Sequence, residues 1–318
     1  MFKEYNLKIT IYSWGSSKKV NWGQWHENIK IRKTPSSKYF QKFWAIIFYK
    51  IWLRIDNPNK VLINFIYHGE EKLPRDRNYI YVLHTPPSLV PLRYKYLSKQ
   101  IIKFKNLRLV AVSRFIQIEA SKCLNVKTIK VIYNGVDTKK FRIKPSGKSK
   151  KIINLITLSA LEKRKGIHHV IRALKQLNNP NIIYKIYGEG IYKPELEQLI
   201  QSSKQEDRIF INPNTIYPEK CLNESDIFIL LSKGEAFPFA PLEAMSCGLP
   251  IIVSDLPPYD EYVSKNIGLR VNRNSIKDVT DAIEYIIKKR KEFGINGREL
   301  IKTTFNWRTI ANQYYEII

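Results

Sequence analysis

The sequence predicts an α/β protein of two domains, each a parallel sheet covered by helices. Three observations predict it. Short β-rich runs alternate with helix-like stretches along the chain, and parallel strands need crossovers of a dozen or more residues, usually helices. The segment Lys144–Lys151 (KPSGKSKK) gathers proline, glycine, serine and lysine in the manner of a linker. The 318 residues, 44% of them hydrophobic, provide a core for each of two domains of ordinary size.

The elements follow in order. Leu7–Tyr12 reads as a strand ending in Ser13-Trp14-Gly15, and His26–Lys33 as a second. Ser36-Ser37 opens a long apolar helix, Lys38–Ile55. Val61–Tyr67 and Tyr79–His84 are strands, Pro91–Lys103 a helix, Leu109–Ser113 a strand, Arg114–Cys123 a helix and Thr128–Tyr133 a strand. Past the linker, Ile152–Leu158 is a strand. Gly166–Leu177 is a helix with apolar residues at 167, 170, 171 and 174, one face of a 3.6-residue period. Ile182–Tyr187 is a strand ending in Gly188-Glu189-Gly190; Lys193–Ser202 is a helix and Arg208–Ile211 a strand. Cys221 begins a turn into the fully apolar strand Ile227–Leu231. Leu242–Cys247 is a helix, Leu249–Val253 a strand, Val279–Lys289 a helix and Trp307–Ile317 a last helix.

Charge is the unusual feature of the composition. Lys and Arg number 54 against 28 Asp and Glu, a formal net charge of +26. Such a field draws phosphate-rich partners: nucleic acid, anionic headgroups or phosphorylated small molecules. It is equally what a lysine-rich solvated surface gives. Cys123, Cys221 and Cys247 are far apart and odd in number, which argues against a disulfide framework and against zinc and fits a reducing, cytoplasmic setting. No signal peptide is visible. No run reaches the roughly 20 apolar residues of a spanning helix; Phe43–Ile55 comes nearest and is interrupted by Lys50 and Arg54. On the helix Lys38–Ile55, Lys38, Lys42, Lys50 and Arg54 fall within one half of the wheel, while Phe43, Trp44, Ile47, Phe48, Ile51 and Trp52 form a broad apolar surface. That pattern suits either a bilayer interface or packing on the sheet with solvated lysines.

The most informative stretch is Ser232–Ser254 (SKGEAFPFAPLEAMSCGLPIIVS). Pro241 falls at the expected first helical position, where its missing N–H matters least. Free N–H groups around Phe239, Ala240, Pro241 and Leu242 would then face outward, and such a helix end binds phosphate. Glu235 and Glu243 bracket it. A carboxylate beside a phosphate site is explained if it accepts hydrogen bonds from a ribose diol; the alternative is that Glu243 only complements the helix dipole, worth about 0.3–1 kcal/mol.

This stretch resembles the Glu-x7-Glu motif of glycosyltransferase family 4, through Glu235, Glu243, Ala244, Met245, Gly248, Pro250 and Val253. The resemblance implies the GT-B architecture, two Rossmann-like domains facing across a cleft. It places Glu235 by the transferred sugar and Glu243 on the donor ribose. Leu158–Gly166 (LSALEKRKG) looks like the family's first donor-domain loop, in which Lys165 reaches the diphosphate. Ala160 stands where the family has an arginine, and Arg164 is the candidate substitute. Gly188, with Asn212–Ile216, is a candidate for backbone contacts to the base. His84, at a strand end in YVLHTPP, matches the family's histidine near the donor sugar, and Gly15 or Gly23 the glycine loop near the phosphates. Phe237 and Phe239 lie in the donor loop. Asn134-Gly135 is a turn signal in any protein. The resemblance is good over about residues 109–318 and thin before.

Family membership implies a retaining transfer from a nucleotide-diphosphate sugar as co-substrate, with no cofactor and no metal, to a glycan or lipid-linked acceptor. The expected parts are 1–147 for the acceptor, 148–302 for the donor, and a terminal helix at 303–318 crossing back to the first domain. A cytoplasmic protein, with a peripheral seat on the inner face of an anionic membrane as an option, is the expected location. Two other readings stand beside it: a catalytically degenerate scaffold, favoured by Ala160 and the short first domain, and a basic nucleic-acid-binding protein. The charge favours the latter, but no nucleic-acid motif or basic–aromatic array supports it.

Overall fold

The computed structural model describes residues 9–13, 29–33, 60–63, 78–102, 104, 106–143 and 151–317. The expected helix Lys38–Ile55, Gly15, Gly23 and nearly all of the expected linker lie outside the described residues. Two compact units are present. One holds the described residues up to Ala111 together with Ile116–Lys130; the other holds Val112–Phe115 and the chain from Val131 onward.

The first unit contains β1 (Ile9–Ser13), β2 (Ile29–Lys33), β3 (Lys60–Ile63), β4 (Asn78–Leu83), α1 (Pro91–Ile101), β5 (Asn106–Ala111), most of α2 (Arg114–Leu124) and the start of β6 (Lys130–Val131). Strands β1 and β2 pair in parallel. A second sheet runs β3-β4-β5-β6. Tyr79 through Leu83 are all buried, the continuous apolar run of a parallel strand covered on both faces. Helix α2 buries Ile116, Ala120 and Leu124, one residue per turn on a single stripe.

The second unit is a six-stranded sheet built from β7 (Ile153–Leu158), β8 (Ile182–Tyr187), β9 (Ile209–Asn212), β10 (Ile227–Leu230), β11 (Ile251–Ser254) and β12 (Gly268–Val271). Its order is β9-β8-β7-β10-β11-β12, and every pairing is parallel. Its helices are α3 (Ile167–Leu177), α4 (Lys193–Ser202), α5 (Pro218–Asn223), α6 (Phe239–Ser246), α7 (Pro257–Asp260), α8 (Ile276–Thr303) and α9 (Trp307–Tyr315). Strand β10 is buried at all four residues. Strand β8, nearer the edge, alternates buried and half-buried positions, as its IIYKIY pattern requires. Helix α3 buries Ile167, Val170, Ile171 and Leu174, the face read from the sequence.

Numbered within the unit, the strand order is 3-2-1-4-5-6. The winding therefore reverses between β7 and β10, and a doubly wound sheet binds ligands beyond the carboxyl ends of the strands at that reversal. Those ends are the loops that follow Leu158 and Leu230.

Several elements differ from expectation. Helix α8 spans 28 residues where a short helix at Val279–Lys289 was expected. Strand β12 and helix α5 had not been expected, since GLRV and PEKCLN are too short to show a period. Asn306 caps α9, accepting from Thr309 N–H at 2.9 Å. The segment before α9 joins Val136 through Val136 N–H to Phe305 O at 2.8 Å and Trp307 N–H to Val136 O at 3.0 Å.

Candidate active site

The loop after β7 closes in a 3-10 turn, Lys163–Lys165, and leaves it through Gly166 at φ 72°. A Cβ on Gly166 would lie 1.9 Å from Leu231 O. Only glycine lets this loop sit so close to the end of β10. Lys233 N–H donates to Arg164 O at 2.7 Å and ties the two loops together.

This closeness brings Lys165 to Glu235. Lys165 Nζ donates to Glu235 Oε1 at 2.6 Å, and both side chains are nearly buried, 13% and 10% exposed. Ser232 Oγ donates to the same oxygen at 2.6 Å. Ser254 Oγ, at the end of β11, in turn donates to Ser232 O at 2.7 Å. The carboxylate is thus held by a cation and a hydroxyl, and a charged hydrogen bond of this kind is among the stronger ones in proteins.

Helix α6 starts at Phe239, two residues earlier than expected, because Pro238 adopts the extended conformation that begins it. Pro241 is its third residue, still among the first four positions whose N–H groups have no partner within the helix. No side chain caps this end. Glu243 moves from the expected first turn to the fifth residue. It is mostly buried, and desolvation pushes its carboxyl up to about 7; Lys140 partly offsets this and Glu219 adds to it. Lys140 Nζ lies 3.8 Å from Glu219 Oε2, an ion pair too long to be a hydrogen bond, so that oxygen stays buried without one.

The other sequence candidates are placed as follows. Phe237 is 2% exposed and packs on Tyr133 at 5.0 Å, Tyr262 at 5.2 Å and Phe305 at 5.5 Å between ring centroids. Its carbonyl accepts from Asn134 Nδ2 at 2.7 Å. Its side chain is therefore a core element, and only its backbone can meet a ligand. Phe239 is exposed and Ala240 half-buried, while Pro241 and Leu242 are buried. Arg164 is turned to Glu162, Nε to Oε2 at 2.5 Å, with both side chains exposed. Gly188 is buried where two loops cross: a Cβ there would lie 1.9 Å from Ser159 O. His84 follows β4 in the first unit; burial pushes its imidazole down to about 4, so it is neutral at pH 7.

Three features had no sequence signal. Ser232 lies three residues before Glu235. Arg273 stands 109 residues from Arg164, whose carbonyl it meets at 3.3 Å. Tyr259 and Tyr262 have buried hydroxyls without a hydrogen-bond partner, and burial raises both pKa values well above the usual phenol range. Among the described residues, no group of three or more His, Cys, Asp or Glu is gathered as metal ligands. The assembled chemistry is a lysine and a carboxylate beside an uncapped helix end, with a second carboxyl on that helix whose pKa burial raises to about 7. Together these can receive a diphosphate and a sugar diol.

Residues 138–300 match the model of the family described as glycosyl transferases group 1. The chain belongs to this family of glycosyltransferases. Among its relatives is the O-antigen biosynthesis glycosyltransferase WclY of Escherichia coli, 27% identical over 59% of this chain; the match spans about half of that relative, 54% of its length. Two solved structures share the fold. Sucrose-phosphate synthase of Thermosynechococcus elongatus superposes with TM-score 0.82 at 16% identity, covering 99% of this chain and 89% of its own. Anabaena HepE, solved with UDP and glucose, superposes with TM-score 0.77 at 19% identity, covering 91% and 85%. The fold is thus the GT-B class that the motif implied.

Proposed function

We propose that the chain is a retaining, metal-independent hexosyltransferase of glycosyltransferase family 4. In this reading it moves a sugar from a nucleotide-diphosphate donor to a hydroxyl of a glycan or lipid-linked acceptor. One observation carries it: Lys165 and Glu235 meet at the winding reversal of the sheet, with Glu243 eight residues on in the helix that follows. The HepE structure, which contains UDP and glucose, supports a nucleotide-sugar donor. The name of WclY, with its O-antigen role, supports a polysaccharide or lipid-linked acceptor.

Residues 148–302 take the donor and 1–147 the acceptor. Lys165 Nζ and the first-turn N–H groups of α6 receive the diphosphate and offset the charge that develops on it as the sugar leaves. Glu243 ionises on meeting the ribose diol and accepts two hydrogen bonds from it. Glu235, freed from Lys165 by the diphosphate, faces the transferred sugar, and neutral His84 hydrogen-bonds the same sugar. The sugar leaves and the acceptor hydroxyl attacks on one face, and the leaving phosphate takes the hydroxyl proton.

In the same reading the protein is cytoplasmic, with a peripheral seat on an anionic membrane surface as an option. Residues 1–147 contain 29 Lys and Arg against eight Asp and Glu, which would hold the acceptor half near anionic headgroups. Among the described residues no helix is long and apolar enough to cross a membrane. Flotation with anionic vesicles at low salt checks this, and a protein that stays at the bottom of the gradient contradicts it.

Transfer is tested with UDP- and GDP-hexoses and a polyprenyl-diphosphate sugar acceptor in excess EDTA, with proton NMR of the product. Retention of the anomeric configuration supports the proposal; inversion, or loss of transfer in EDTA, contradicts it. A second reading, a nucleotide-binding scaffold without transfer, is favoured by Ala160 and by Arg164 being tied to Glu162. It predicts nucleotide binding with no product.

A further inference from the structure

Arg273 lies in the turn after β12, beyond the last strand of the sheet. Nothing in its local sequence suggests a role, and it does not belong to the Glu-x7-Glu block. Its Nη1 donates to Leu231 O at 3.1 Å and Arg164 O at 3.3 Å. Its Nη2 is 3.1 Å from His169 Nε2, which must be the neutral, accepting nitrogen of that ring. Burial lowers the pKa of the guanidinium, and an arginine remains charged in any protein.

The two carbonyls belong to different loops. Arg164 O is one residue before Lys165, and Leu231 O is one residue before Ser232, which holds Glu235. The guanidinium therefore spans the base of both loops at the point where Gly166 already presses against Leu231 O. Arg164 O also accepts Lys233 N–H, so the loops are joined at one carbonyl from two directions. His169, on the first turn of α3, fixes the third corner of the fork. A planar fork with donors at set angles can meet three acceptors on three segments, which a flexible ammonium does not do in the same geometry.

We infer that Arg273 is a positioning residue for the diphosphate part of the donor site, setting the separation of the Lys165 and Glu235 loops through the carbonyls of Arg164 and Leu231. The inference rests on the donor reading given above. It goes beyond that reading by assigning the phosphate-binding geometry to a residue that acts through the carbonyls of two loops. Charge alone would make Arg273 a long-range attractor of phosphate. Positioning makes its geometry matter as well as its charge.

The experiment compares the intact protein with Arg273→Ala and Arg273→Lys by calorimetric titration of UDP, uridine, GDP and guanosine, with a melting curve for each variant. Wild type is expected to bind one diphosphate more tightly than its nucleoside. Both variants are expected to lose about tenfold of that diphosphate advantage, the size of one charged hydrogen bond, while nucleoside affinity stays within about twofold. Equal loss of nucleoside and diphosphate affinity would overturn the inference, because it means general damage to the fold. Wild-type behaviour of Arg273→Lys would overturn it too, because charge would then suffice. If wild type binds none of the four, the donor reading falls first and takes this inference with it.

Discussion

Lys165 Nζ and Glu235 Oε1 stand 2.6 Å apart at the reversal point of a parallel sheet, each nearly shielded from water. Seventy residues of sequence separate them. Removing one partner of a nearly buried pair leaves the other desolvated, which costs more than removing both. Lys165→Met should therefore destabilise the fold by about 3 kcal/mol, and adding Glu235→Gln should recover most of that loss. Denaturant melts of the two single variants and the double variant check this. Additive losses would show that the pair is not coupled.

Glu243 gives a pH dependence with a definite sign. Its carboxyl has a folded-state value of about 7 against 4.5 for the free group, chiefly through desolvation. The folded state thus favours the protonated form. The stability it contributes is complete below about pH 4.5 and is lost as pH rises through 7. Glu243→Gln should melt higher than wild type at pH 8, and the two should converge near pH 4.5. Melting curves at several pH values test this. A variant that melts lower at pH 8 would contradict the buried acid.

Gly166 is held by geometry. Its φ of 72° is left-handed, and a Cβ would meet Leu231 O at 1.9 Å. Gly166→Ala should lower stability by about 1–3 kcal/mol and shift Lys165 away from Glu235. Its melting temperature and nucleotide affinity should fall together. An unchanged melting temperature would show that the loop does not need this approach.

Much of the second unit was legible before the structure. The runs INLITL at β7 and IFIL at β10 announce central strands, and the spacing 167, 170, 171, 174 announces α3. Glu235 and Glu243 stand out because two carboxylates flank a loop and helix start with two prolines. The reach of α8 was hidden by Gly294 and Gly297, which usually argue against a helix interior. Gly294 is there because a Cβ on it would lie 2.0 Å from Gly248 O, and no local pattern reports a neighbour 46 residues away. Ser232 gave no signal of its own three residues before Glu235, and Arg273 acts through carbonyls 42 and 109 residues distant. Phe237 was read as a ligand contact because it lies in the donor loop, and tertiary packing instead put its ring among Tyr133, Tyr262 and Phe305.

His84 carries a prediction about protonation. Burial holds its imidazole near 4, so it is neutral throughout the range in which Glu243 titrates. His84→Ala should reduce kcat by about tenfold or more, the span of one lost catalytic hydrogen bond. The pH profile of the remaining activity between 5.5 and 8 should keep its shape. A wild-type profile that loses a step near 6.5 in the variant would show a titrating histidine.

The most direct test of the donor site is the melting temperature of the purified protein against UDP, GDP, ADP, TDP and CDP, with Glu243→Ala alongside. A ligand at 100 times its Kd stabilises a fold by about 2.7 kcal/mol. One of these diphosphates should raise the melting temperature of wild type, and affinity for it should fall by about 10- to 150-fold in the variant. No shift with any diphosphate, or an equal shift in both proteins, would contradict the account.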